Sequence, residues 1–122
     1  MNQNNSKKPV VCVFCSSSAD VSEEIKTAAA EFARLLAENR FAVLYGGTTC
    51  GLMKIVADAH KNAGGHLIGI IPEYMIARGI QHPNLDELHS VADLRPRKQA
   101  MLDRSDYIVA LPGGLCTYDE FF

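Results

Sequence analysis

The residues best suited to chemistry gather at small-residue loops and beside them. Ser16-Ser17-Ser18, Gly46-Gly47-Thr48-Thr49 and Gly113-Gly114-Leu115-Cys116-Thr117 each follow an apolar run, and the latter two each precede a predicted helix. Glycines let a backbone come close to a ligand, and loop amides at a helix N-terminus, together with the helix dipole, favour an anion such as phosphate. The same glycines also fit tight strand-to-helix turns, but two such loops on one sheet edge favour phosphate over mere turn geometry. Neither loop has the spacing GxGxxG or GxxxxGK[ST], so neither a dinucleotide fingerprint nor a P-loop is supported. Arg95, Arg97 and Lys98 open one predicted helix and Glu120 lies in the first turn of another. If the strands before those helices are neighbours, both groups face one crevice. A cation there holds phosphate or developing negative charge, and a carboxylate accepts a proton or stabilises a developing cation. Two plainer readings stay open: Glu120 bonding back to the Thr117 amide in a capping box, and the Arg/Lys group as a solvated helix face.

Cysteine and histidine point away from metal chemistry. Cys12 and Cys15 have redox or zinc spacing, but both lie on an apolar strand, where an odd separation sends side chains to opposite faces. They read as buried structural thiols. His60, His66, His82 and His89 form no HxH or HxxxH pair, and there is no second CxxC, so no metal site is expected.

The elements that must position these groups alternate. Strands are expected over 10–15, 41–45, 66–71, 88–91 and 107–111, the first a continuous apolar run of the kind buried on both faces of a parallel sheet. A helix is expected over 21–38, with Asp20 as N-cap, Glu23 in capping-box position, and Ile25, Ala29, Phe32, Leu35 and Leu36 on the inner face. A second over 51–62 turns Leu52, Ile55, Val56 and Ala59 inward and stops at Gly64. Gly79 and Pro83 make 73–87 a loop segment with at most short helical pieces. A helix over 94–104 follows, capped by Asp93 with Pro96 in its first turn. Thr117-Tyr118-Asp119-Glu120 then opens another helix. Alternating β and α elements with short connections give an α/β fold, a Rossmann-like doubly wound parallel sheet with helices on both faces.

Composition bounds the rest. The chain has 122 residues, 48% hydrophobic and 21% charged, with a formal net charge of −2. That balance excludes a disordered chain and leaves no basic excess from which to argue nucleic-acid or anionic-membrane binding. No apolar run approaches a membrane span. Residues 1–9 read as a flexible polar tail without an apolar targeting segment, and residues 10–122 as one Rossmann-like domain. Four cysteines without a secretion signal suit thiols in the cytoplasm.

Pro112-Gly113-Gly114-Leu115-Cys116-Thr117-Tyr118-Asp119-Glu120 resembles the PGGxGTxxE signature of the Lonely Guy family, the cytokinin riboside 5′-monophosphate phosphoribohydrolases, long mislabelled as lysine decarboxylases. Tyr45-Gly46-Gly47 with Gly51-Leu52-Met53 resembles the family's YGGGxxGLM loop, Arg97-Lys98 its paired Arg-Lys, and 13–17 its first strand end. The resemblance implies hydrolysis of the N-glycosidic bond of an adenine-type, N6-modified nucleoside 5′-monophosphate, releasing base and ribose 5-phosphate without a cofactor. The sequence carries no motif for the pyridoxal phosphate that lysine decarboxylation would need.

By the same resemblance Arg97 and Glu120 are catalytic, and Lys98 and Met53 are substrate contacts. Gly113, Gly114, Leu115, Cys116 and Thr117, with Gly46, Gly47 and Thr48, would cradle the 5′-phosphate. Cys116 stands where the family usually has glycine, and Gly79 where it has a substrate-binding glutamate. Family chains continue past the signature helix into elements that complete the sheet and a dimer interface, so this chain reads as C-terminally truncated, with an edge that associates with another copy. An AMP nucleosidase and a non-catalytic nucleotide-binding relative are the alternative readings.

Overall fold

The computed structural model describes residues 8–15 and 21–111, so the expectations that fall on 1–7, 16–20 and 112–122 lie outside the described residues. Within them β1 (Val10–Phe14), α1 (Glu23–Glu38), β2 (Ala42–Tyr45), α2 (Gly51–Asn62), β3 (Leu67–Pro72), α3 (Glu73–Ala77), β4 (Glu87–Val91), α4 (Leu94–Arg104) and β5 (Tyr107–Ala110) follow one another. All strands pair in parallel in the order β4-β3-β2-β1-β5.

β1, β2 and β3 are apolar on both sides because both sides of the sheet are covered. On one side Val11, Val13, Cys15, Val43, Tyr45 and Leu67 pack with Ala29 and Ala33 of α1 and with Leu52, Met53, Val56 and Ala57 of α2. On the other, Cys12, Phe14, Ala42, Leu44, Ile68 and Ile70 pack with Met101 of α4. Cys12 and Cys15 thus sit on opposite faces, as their spacing requires.

Three local expectations change. The N-cap of α1 is Ser22, whose Oγ accepts from the Ile25 amide at 3.2 Å. That makes Glu23 the first helical residue, paired with Lys26 at 3.1 Å, instead of a capping-box member. Leu35 is 42% exposed; the inward stripe runs through Ile25, Ala29, Phe32, Ala33 and Leu36, and Leu35 falls outside that arc.

The helix ends also differ in an instructive way. α2 closes in a Schellman motif, with Gly64 N donating to Lys61 O at 2.9 Å and Gly65 N to His60 O at 2.9 Å, and Gly64 has φ +84. α1 closes in the same motif, with Arg40 N donating to Ala37 O at 3.1 Å and Phe41 N to Leu36 O at 2.9 Å, yet its left-handed residue is Arg40 at φ 66.

The strand order bears on the site. β4 and β5 are opposite edges of the sheet, not neighbours. The chain steps outward from β1 through β2 and β3 to β4, then α4 crosses back over the sheet to deliver β5 beside β1. The winding therefore reverses between β1 and β5, the place where open α/β sheets bind ligands at the carboxyl ends of their strands.

Candidate active site

Arg97 is the centre of the carboxyl-edge arrangement. It stands one helical turn before Met101, so the face of α4 that packs on the sheet carries it inward too. Only 5% of it is exposed. Its Nε donates to the Ile70 carbonyl of β3 at 2.9 Å and its Nη2 to the Gly46 carbonyl at 2.5 Å, just past β2. A buried guanidinium needs such acceptors, and a planar fork suits two carbonyls from adjacent strand ends. It reaches the crevice because α4 crosses the sheet, and not because β4 adjoins β5.

The glycines of the loop after β2 are set by close approach. A Cβ on Gly46 would lie 2.2 Å from Arg97 Nη2 and 3.1 Å from Met53 Cε. Gly47 has φ +81, and a Cβ there would lie 2.4 Å from Ile71 Cγ1. Thr48, almost fully buried, places its Oγ1 3.1 Å from Met53 Sδ and accepts from the Cys50 amide at 3.3 Å. The Tyr45 hydroxyl donates to the Thr48 carbonyl at 3.1 Å. Burial pushes the Tyr45 phenol far above its usual value, so it stays a donor. α2 begins immediately afterwards; Met53 N donates to Cys50 O at 3.1 Å, and the Gly51 and Leu52 amides that open the helix have no side-chain cap from Cys50.

A second segment, which spacing gave no reason to single out, locks this loop. Thr49 N donates to Ile80 O at 3.1 Å, His82 N donates to Gly47 O at 2.8 Å, and Thr48 and Gln81 form an antiparallel bridge. His82 is buried; its Nδ1 accepts from the Asn84 amide at 3.0 Å, so Nε2 carries the hydrogen and donates to Asp58 Oδ1 of α2 at 2.7 Å. Burial works against the Asp58 carboxylate, but hydrogen bonds from Lys54 and His82 outweigh it and hold its pKa below the ordinary value.

The sequence-selected residues therefore divide. Gly46, Gly47, Thr48, Met53 and Arg97 come together at one point of the carboxyl edge. Lys98, next on α4, is half-exposed, and Arg95 is exposed. Gly79 ends α3 at φ +73, with nothing within 4 Å of an added Cβ. Gly113, Gly114, Leu115, Cys116, Thr117 and Glu120 lie outside the described residues. Among the described residues no group of three His, Cys, Asp or Glu side chains could hold a metal ion.

The chain is similar to known proteins in sequence and in fold. The chain is 40% identical over 110 residues to the rice (Oryza sativa subsp. japonica) protein named probable cytokinin riboside 5′-monophosphate phosphoribohydrolase LOGL9, covering 90% of this chain and 48% of that one. It is 42% identical over 110 residues to cytokinin riboside 5′-monophosphate phosphoribohydrolase LOG5 of Arabidopsis thaliana, with 90% and 48% covered. The chain thus spans about half the length of the curated relatives it matches. Among solved structures, the Moco carrier protein of Chlamydomonas reinhardtii superposes with a TM-score of 0.79 at 25% identity, covering 93% of this chain and 68% of that one. The molybdenum cofactor binding protein of Rippkaea orientalis does so at 0.81 and 23% identity, covering 94% and 69%, which speaks for the fold alone. The family described as "Possible lysine decarboxylase" matches residues 53–122, more than half of the chain, and the chain belongs to that family, the Lonely Guy family its motifs resemble.

Proposed function

We propose that the protein hydrolyses the N-glycosidic bond of adenine-type nucleoside 5′-monophosphates, N6-modified ones included, to free base and ribose 5-phosphate. The observation that carries this reading is the buried Arg97 seated on the Gly46 and Ile70 carbonyls at the carboxyl edge, in a chain about 40% identical to proteins named for that reaction.

The division of labour follows from charge. Gly46, Gly47 and Thr48, with Gly113 to Thr117, offer backbone amides to the 5′-phosphate, and Lys98 adds a cation at the rim. Arg97 keeps the Gly46 loop in register and supplies a positive charge beside it. Met53 packs at the loop, and Leu115 and Cys116 belong by sequence to the second small-residue loop. As the bond between C1′ and the purine nitrogen lengthens, positive charge builds on the ribose, and the Glu120 carboxylate stabilises it. Water adds through its oxygen to C1′ and gives a proton to Glu120, while the base leaves with the bonding electron pair and takes up a proton from solvent, to which Glu120 afterwards returns its own. No cofactor enters the balance.

Two features support a cytoplasmic homo-oligomer. Cys12 and Cys15 pack on opposite faces of the sheet and so are not bridged to each other, as suits a reducing compartment. Among the described residues β5 is an edge strand and leaves Tyr107 57% and Ile108 45% exposed, apolar surface of the kind a second copy covers. No helix among the described residues is long and apolar enough to cross a membrane.

A second reading, a nucleotide-binding relative without turnover, draws on the structural likeness to the Moco carrier protein of Chlamydomonas reinhardtii. Incubation with AMP and with N6-isopentenyl-AMP, followed by assay of free base and ribose 5-phosphate, separates the two. Release from either substrate supports the hydrolase, and its ratio gives the base preference. Tight binding with no release from either would leave only the binding reading.

A further inference from the structure

Gln81 carries the one buried side-chain oxygen or nitrogen without a hydrogen-bond partner among the described residues, its Oε1. A buried carboxamide oxygen left unpaired is costly, and native structures keep such atoms where something else completes them. Its position says what that is. Gln81 faces Thr48 across the antiparallel bridge, and directly opposed residues project to the same side. Thr48 in turn touches Met53, which adjoins Gly46 and Arg97.

Nor is Gln81 loosely held. Its neighbours are fixed on both sides, Ile80 through its carbonyl to Thr49 and His82 through its amide to Gly47 and its ring to Asp58. The acceptor is therefore preorganised beside the phosphate-cradling loop.

A neutral acceptor cannot bond a phosphate dianion, which has no hydrogens to give. In a nucleoside 5′-monophosphate the group next to the phosphate is the ribose, whose hydroxyls are donors; the amino group of adenine lies beyond the glycosidic bond. We infer that Gln81 is a specificity-determining residue whose Oε1 accepts a hydrogen bond from a ribose hydroxyl of the substrate, so that the site selects ribonucleotides. This rests on the hydrolase reading above for its substrate class.

Gln81→Met keeps the length of the side chain and removes the acceptor. With AMP, kcat/KM of the variant falls about 10-fold, as for one lost hydrogen bond, while with 2′,3′-dideoxy-AMP it changes less than about two-fold. The variant also melts no lower than the wild type, because no intramolecular bond is lost. Equal loss on both nucleotides, or loss on neither, overturns the inference, as does a lowered melting midpoint, which would mean that Oε1 is already satisfied within the fold. Gln81→Leu repeats the comparison with a shorter apolar chain. If the wild type releases no base from AMP, the hydrolase reading fails separately. Calorimetric affinities of wild type and variant for AMP and for 2′,3′-dideoxy-AMP then decide on Gln81 alone: a selective loss for AMP supports it and parallel values overturn it.

Discussion

Gly46→Ala tests the interlock between Arg97 and the loop after β2. Gly46 is not among the glycines with positive φ, so alanine meets no backbone strain there and its effect is steric. The new methyl would lie 2.2 Å from Arg97 Nη2 and 3.2 Å from Cζ. Met53 Cε, at 3.1 Å, is the end of a flexible chain and gives way easily. The guanidinium does not, because it is buried and bonded to Gly46 O at 2.5 Å and Ile70 O at 2.9 Å. Displacing it forfeits a charged hydrogen bond, about 1.5–3 kcal/mol. Alanine returns about 0.4–1 kcal/mol by restricting the unfolded chain, which leaves a net loss of about 1–2 kcal/mol. In an Arg97→Ala background the obstacle is gone and the same substitution becomes neutral or stabilising by about 0.5 kcal/mol. A double-mutant cycle in guanidinium chloride reads this change of sign as a coupling energy. If Gly46→Ala costs the same in both backgrounds, the interlock is not what keeps residue 46 a glycine.

Two further predictions concern stability. Arg40→Gly should raise the guanidinium midpoint, by about 0.5–1 kcal/mol: the left-handed conformation at φ 66 costs a residue with a Cβ about 1–2 kcal/mol, less the extra freedom glycine has when unfolded; an unchanged or lower midpoint would count against the Schellman assignment. Glu87 has its pKa lowered to about 2 by hydrogen bonds from His66 and His89, with Arg104 adding to them. Because the folded value lies below the ordinary value of 4.5, its contribution is complete above pH 4.5 and lost as the pH falls toward 2. Urea melts across that window should show a shallower acid loss for Glu87→Gln than for the wild type, and parallel curves would refute the assignment.

The fold was legible where composition and period agreed. β1, β2 and β3 are apolar runs, and the stripes of α1 and α2 follow the helical period through Ile25, Ala29, Phe32, Leu52 and Val56. Gly64 announces the end of α2. Arg40, performing the same turn at the end of α1, does not, because nothing in its chemistry prefers a positive φ. Ser22 rather than Asp20 caps α1, a choice between two good capping residues that spacing alone could not make.

The candidate site was legible by residue type, but not by route. Residue type and the Arg-Lys pair single out Arg97, with a solvated helix face as the plainer alternative, and only the crossing of α4 over the sheet turns it onto the ends of β2 and β3. Residue types leave open whether β4 and β5 adjoin, and the return of the chain to β1 puts them on opposite sides of the described sheet. The segment around Gln81 and His82 carries no motif. Its role depends on a backbone pairing with Thr48 and a buried bond to Asp58, both long-range in sequence.

The central claim is glycosidic hydrolysis with Glu120 as the carboxylate at the anomeric carbon, and single-turnover release of base from bound nucleotide tests it most directly. Wild type and Glu120→Gln are compared at saturating AMP, with nucleotide binding measured on both. The expected result is equimolar base and ribose 5-phosphate from the wild type and a rate about 10²–10⁴-fold lower for the variant with binding retained. Intact nucleotide on the wild type, or equal rates for the two proteins, would contradict it.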